Sequence, residues 1–164
     1  TQAIDQFSPV IGNQGQKPAW TTIIQEPIGS HLQILRFQFV GLETASNLAS
    51  LTIEVEGGDL GPLRKLNNLK SLELICKSNA RNDLTNLSPI SKVKRLEVLF
   101  LHGSGVRDLS PLSTLGNLKH LYLGGNKISD LSPLANLANL KMLELRGNPI
   151  SDFSSLAGLK KLEK

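Results

Sequence analysis

Three stretches of the chain repeat one another without a gap: LTNLSPISKVKRLEVLFLHGSG at 84–105, VRDLSPLSTLGNLKHLYLGGNK at 106–127 and ISDLSPLANLANLKMLELRGNP at 128–149. A further unit, ISDFSSLAGLKKLEK, begins at 150 and stops at 164, so the starts at 84, 106, 128 and 150 are evenly spaced. A short strict period constrains folding severely. No single unit can bury its apolar edge alone, so the copies must stack on one another as a solenoid. Upstream the pattern loosens. Among the landmark leucines Leu51, Leu72, Leu99, Leu121 and Leu143, the last two steps keep the period, the first falls one short of it, and the step from Leu72 to Leu99 overshoots it. That long step marks an insertion around Cys76 to Arg81.

The frame within a unit, L-x-x-L-x-L-x-x-N, has a stereochemical reason. Leu143 and Leu145 lie two apart on an extended segment and point into the core, whereas Met142, Glu144 and Arg146 point to the other side. Asn126 and Asn148 stand where the chain leaves the strand, and their amides are expected to satisfy backbone groups inside the coil. Leu131, Leu134, Leu137 and Leu140 continue inward at steps of three, which suits 3₁₀-like or short helical returns. Ser88-Pro89, Ser110-Pro111 and Ser132-Pro133 open those returns, where proline presets φ and needs no donated hydrogen bond.

DLSPL followed by LxxLxxLxxLxLxxN resembles the 22-residue repeats of bacterial internalins and of the SDS22-like subclass, over about residues 42–164. The resemblance implies an α/β leucine-rich repeat solenoid: a right-handed superhelix with a parallel sheet on its concave side and 3₁₀ or irregular returns on its convex side. It also implies a surface used for binding a protein. Residues 1–41 do not match. They are read as an irregular lead-in, over 1–19, followed by a β-hairpin cap, leaving about five repeat units in 42–164, the last truncated. TTIIQ and LQILRFQFV are rich in β-branched and aromatic residues, and Glu26-Pro27-Ile28-Gly29 supplies turn residues between them. The step from Leu35 to Leu51 is shorter than a coil of this class, so the hairpin is expected to cap the solenoid, with His31 in its turn. Trp20, Phe37 and Phe39 would cover the open core edge, a use that outweighs ligand contact for such large aromatics.

Composition narrows the function. Eighteen Lys and Arg against 14 Asp and Glu leave a net charge of +4, too small to demand a nucleic-acid partner, although the excess is uneven. Residues 1–83 hold seven basic and eight acidic side chains, and residues 84–164 hold eleven and six. The single cysteine, Cys76, cannot close an internal disulfide and reads as a small buried or half-buried thiol rather than a nucleophile. No apolar run reaches the ~18 residues of a membrane helix, so membrane insertion is not expected. No H-E-x-x-H, C-x-x-C, G-x-S-x-G or G-x-x-x-x-G-K-[ST] motif is present, which argues against an enzyme and against a bound cofactor or metal. Gly57-Gly58 with Gly61 lacks the context of a dinucleotide site. Arg64-Lys65, Lys92, Lys94-Arg95 and Lys160-Lys161 fall on the convex returns as solvated surface, with weak anion contact as the lesser reading.

Stacking the coils sets outward strand positions in three columns. The first reads Ser50, Ser71, Val98, His120, Met142; the second Thr52, Glu73, Phe100, Tyr122, Glu144; the third Glu54, Ile75, His102, Gly124, Arg146. Strands ~4.8 Å apart bring Phe100 and Tyr122 side by side. Val98, Phe100, Tyr122 and Met142 then form an apolar patch, and His102, His120, Glu144 and Arg146 a polar rim, which is the anatomy of an interface. The competing reading is that such cross-strand pairs merely stabilise a sheet. His102 and His120 stand in different columns, about 13 Å apart at ~3.3 Å per residue, too far to share a metal. The leading expectation is thus a non-enzymatic, monomeric module that binds a protein ligand on its concave face, as part of a larger bacterial surface or secreted protein. The alternative is an intracellular scaffold or sensor segment of a multidomain regulatory protein. Because Thr1 opens the chain and the unit begun at Ile150 is incomplete, a piece of a longer protein is expected, with further residues after Lys164.

Overall fold

The computed structural model describes residues 23–28, 31–35, 48–55, 60–76 and 84–163. Seven strands form one sheet in the order of the chain: β1 (Ile23–Ile28), β2 (His31–Leu35), β3 (Ser50–Val55), β4 (Ser71–Cys76), β5 (Val98–Phe100), β6 (His120–Tyr122) and β7 (Met142–Glu144). All neighbours from β2 onward are parallel, and only β1 with β2 is antiparallel. This is a leucine-rich repeat solenoid. Parallel neighbours need a crossover, and from β5 to β7 each crossover is the return half of one repeat.

The landmark leucines hold the ladder in register: Leu51 pairs with Leu72, Leu72 with Leu99, Leu99 with Leu121 and Leu121 with Leu143. The long step between Leu72 and Leu99 leaves this register intact, so the insertion is absorbed outside the ladder. Burial alternates as the strand period requires. Leu99, Leu101, Leu121 and Leu123 are fully buried, whereas Val98, Phe100, His120 and Tyr122 between them are half-exposed.

Among the described residues, five returns carry a 3₁₀ helix: Gly61–Lys65, Ser88–Lys92, Ser110–Leu112, Ser132–Leu134 and Ser154–Leu156. The leucine step of three is the helical period itself. Leu112, Leu115 and Leu118 each donate a backbone N–H to the carbonyl three residues earlier, at 2.8, 2.9 and 2.9 Å. Side chains at this spacing eclipse one another, so all of them enter the core. Proline occupies the first turn in four of the five, where a missing N–H costs nothing. A carboxylate or amide two residues before the serine closes each later return: Asn86, Asp108, Asp130 and Asp152 accept from the backbone N–H of Ser88, Ser110, Ser132 and Ser154. These bonds to Ser110 and Ser154, through hydroxyl and backbone N–H, hold the Asp108 and Asp152 carboxyls below the usual carboxylate range.

The asparagines do what the frame requires of them. Asn126 is buried; its Oδ1 accepts from the N–H of Ser104 and Val106, both at 3.0 Å, and its Nδ2 donates to the carbonyls of Leu101 and Leu123 at 2.6 and 2.8 Å. Asn148 repeats the pattern one coil later, with Ile128, Leu123 and Leu145. Each amide therefore ties its own turn to the preceding coil. Gly125 and Gly147 enter the same turn at φ of 67° and 71°, which a side chain would strain.

The amino-terminal hairpin departs from expectation in two respects. β1 continues through Glu26 and Pro27 to Ile28, with an irregularity in pairing between Gln25 and Ile28, where proline has no N–H to give to the ladder. His31 opens β2 instead of lying in a turn. Moreover Leu32, not Leu35, pairs with Leu51, and Ile34 with Ile53, so β2 takes the repeat register at a step only slightly shorter than the regular period. Trp20, Phe37 and Phe39, expected to cover the core edge, lie outside the described residues, as does the whole lead-in of 1–19. At the opposite edge the core thins: Leu143 and Leu145 are only half-buried, and Phe153 is 55% exposed where its counterparts Leu109 and Leu131 are buried.

Candidate functional site

The columns read from the sequence are present in the ladder. Val98, His120 and Met142 are paired in the first, and Glu73, Phe100, Tyr122 and Glu144 in the second. His102, Gly124 and Arg146 follow on the turns just past β5, β6 and β7, where the parallel bonding continues from Gly103 N–H to the Gly124 carbonyl and from Gly125 N–H to the Arg146 carbonyl. All eight candidate residues thus lie on one face, within three adjacent coils.

Phe100 and Tyr122 stack with ring centroids 4.3 Å apart and planes 4° from parallel. Parallel strands impose that arrangement, since equivalent positions carry side chains in the same direction at the strand spacing. His102 lies obliquely over both rings, at 6.4 Å from Phe100 and 6.1 Å from Tyr122. Met142, 39% exposed, extends the apolar area beyond β6, and Val98 borders it. Ile75, 40% exposed in the third column of β4, adds to it as well.

One contact crosses the columns. Glu144 sits beside Tyr122 in the second column, yet its Oε2 lies 3.5 Å from His102 Nδ1, two strands away. Gly124 stands between them, and a β-carbon there would collide with that carboxylate oxygen. The missing side chain opens the path. The same Oε2 is shielded from solvent and accepts no hydrogen bond, while Oε1 accepts from the Arg146 N–H at 3.1 Å and lies 3.7 Å from Arg146 Nε. A protonated His102 would set its charge against an oxygen that lacks a donor. The sequence reading placed both residues in the rim and missed their approach; the available signal was a glycine in a column otherwise holding Ile75, His102 and Arg146.

Charges away from this face are spent on the scaffold. Glu97, at the entry to β5, accepts a hydrogen bond from Lys119 Nζ at 2.6 Å and lies 3.8 Å from Lys70, and the Lys119 bond foremost lowers its pKa. On the returns, Arg95 donates to Asn68 and Lys161 to Asn139, while Asn117 and Asn139 donate to the carbonyls of Lys94 and Gly116. Cys76 ends β4 half-buried against the core. No cluster able to hold a metal ion occurs among the described residues, and no described helix is long and apolar enough to cross a membrane.

Known proteins with this architecture share its repeat. Two copies of the leucine-rich repeat family match at residues 94–139 and 116–158. The crystal structure of internalin C2 from Listeria monocytogenes is 36% identical, with a TM-score of 0.62 over 74% of this chain and 52% of that one. Internalin F of the same organism is 32% identical, with a TM-score of 0.65 over 74% of this chain and 34% of that one. This chain therefore spans about half, or a third, of those structures. The ectodomain of a plant membrane receptor kinase from Arabidopsis thaliana, solved in complex with Casparian strip integrity factor 2, shares the fold at 24% identity and a TM-score of 0.65, over 78% of this chain and 16% of that one. No curated protein sequence matches the chain significantly.

Proposed function

We infer from the membership of this chain in the internalin-like class of leucine-rich repeat proteins, and from the aromatic pair on its sheet, that it is a protein-recognition module. The ligand is a protein bound on the concave face, and the module does no chemistry on it. One observation carries this reading: Phe100 and Tyr122 stack on the face turned away from the leucine core, with Val98 and Met142 beside them. The core needs nothing from those positions, because Leu99, Leu121 and Leu123 already fill it. Apolar centres ringed by polar groups mark interfaces, and aromatic residues dominate their energetics. His102, His120, Glu144 and Arg146 form that ring. Kinship to internalins supports an exported bacterial protein of which this is the recognition part, with the β1–β2 hairpin as its amino-terminal cap before the repeats of 42–164.

Site-specific photo-cross-linking tests the reading. A benzophenone side chain at His120, on the proposed face, should give a discrete adduct with a partner protein, whereas one at Ser113, on a return, should not. Adding Phe100→Ala should abolish the adduct at His120. An adduct of equal yield from both positions, or one indifferent to Phe100→Ala, refutes binding on this face.

A further inference from the structure

The second column carries a carboxylate on each side of the aromatic pair, in the order Glu73, Phe100, Tyr122, Glu144 across four adjacent strands. The two are not equivalent. Glu144 faces His102 and Arg146, so positive and protonatable groups of the chain itself already surround it. Glu73 has no ion pair among the described residues; the Thr52 hydroxyl donates to its Oε2 at 3.1 Å, and its column neighbour on the other side is Phe100. Ser71 and exposed Ile75 flank it on β4, and Val98 lies diagonally across on β5. A half-exposed carboxylate with no ion pair among the described residues thus stands on the side of Phe100 away from Tyr122, with Ile75 and Val98 near it.

We propose that the partner of this face presents an arginine to Glu73 and Phe100. This rests on the concave-face reading above and adds the chemistry of what is bound. A planar guanidinium meets both demands at once, lying on the Phe100 ring while its N–H fork bonds the carboxylate, and strands ~4.8 Å apart put both within one group's reach. Its aliphatic stem covers Ile75, the exposed apolar neighbour of Glu73 on the same strand. Lysine fits less well, because a point charge with a tightly held hydration shell cannot stack and bond bidentately together. An acidic partner segment would meet Glu73 with like charge, and a wholly apolar one would bury that carboxylate without compensation.

The test selects short random peptides displayed on phage against the folded chain and measures each selected peptide on wild type, Glu73→Gln, Glu73→Lys and Phe100→Ala. Circular dichroism checks that all four proteins are folded. The expected binders are enriched in arginine beside an apolar residue, weaken about tenfold on Glu73→Gln and on Phe100→Ala, and give way to acidic peptides when selection is repeated on Glu73→Lys. Binders that need Phe100 but show no arginine enrichment and no loss on Glu73→Gln overturn the arginine assignment and leave the concave-face reading standing. Binders indifferent to Phe100→Ala overturn both.

Discussion

Asn126→Ala removes the most heavily bonded side chain of the described solenoid. The amide is 5% exposed and bonds five backbone groups, the N–H of Ser104 and Val106 and the carbonyls of Leu101, Leu123 and, at 3.4 Å, Gly124. Truncation leaves the Ser104 and Val106 N–H and the Leu101 carbonyl without a partner, since the Leu123 carbonyl still accepts from Asn148 and the Gly124 carbonyl from Gly103, in a space roomy enough for one water with two to four partners. If that water restores one of these bonds, two buried groups remain unsatisfied at about 1–3 kcal/mol each, so the loss should be ~3 kcal/mol. Against a total stability of ~5–15 kcal/mol this is a large fraction. Asn148→Ala is the internal comparison. It breaks three bonds at a half-buried edge where solvent re-satisfies the exposed groups, and should cost ~1 kcal/mol. Urea unfolding followed by circular dichroism gives both values, and hydrogen exchange at the Ser104 and Val106 amides should accelerate in Asn126→Ala alone. Equal losses for the two variants, or unchanged exchange at those amides, would refute the account of the asparagine as a bond between coils.

Leu121→Ala, at a fully buried site between Leu99 and Leu143, should cost about 3–4 kcal/mol, whereas Phe100→Ala and Tyr122→Ala should shift the melting curve far less; aromatic variants that unfold as badly as Leu121→Ala would make the pair a core element. Lowered carboxyl pKa values at Asp108 and Asp152 mean that the folded chain binds these protons later than the unfolded one. The stability they contribute is complete above the ordinary carboxylate range and is lost as pH falls through the folded values. Asp108→Asn with Asp152→Asn should therefore lower neutral-pH stability slightly, toward the value the wild type has in acid, and flatten the acid limb of a pH-dependent urea series. Gly124→Ala should push the Glu144 carboxylate away from His102 with a stability loss under ~1 kcal/mol, because the flexible end of a side chain yields first. A structure of the variant should show the Glu144 carboxylate moved off His102 Nδ1, and an unmoved carboxylate would show that the glycine does not hold the pair together.

The solenoid was legible in the sequence because its repetition in one dimension is also its contact map. A constant step puts Leu121 beside Leu99 and Leu143 whatever the details of the returns, and strand alternation then assigns Leu123 to the core and Tyr122 to the surface. The same logic paired Phe100 with Tyr122 and gave Asn126 its work inside the coil. Where repetition fails, so does that inference. β2 is a short run with apolar residues at Leu32, Ile34 and Leu35, in both parities of the strand, and only pairing with β3 chose Leu32 over Leu35 as the partner of Leu51. Side-chain reach across columns was equally hidden. A repeat specifies where each Cα stands, but Glu144 meets His102 only because Gly124 leaves the space between them empty, and Lys70 reaches Glu97 on the next coil. Those outcomes depend on rotamers and on three coils at once, which no single repeat encodes.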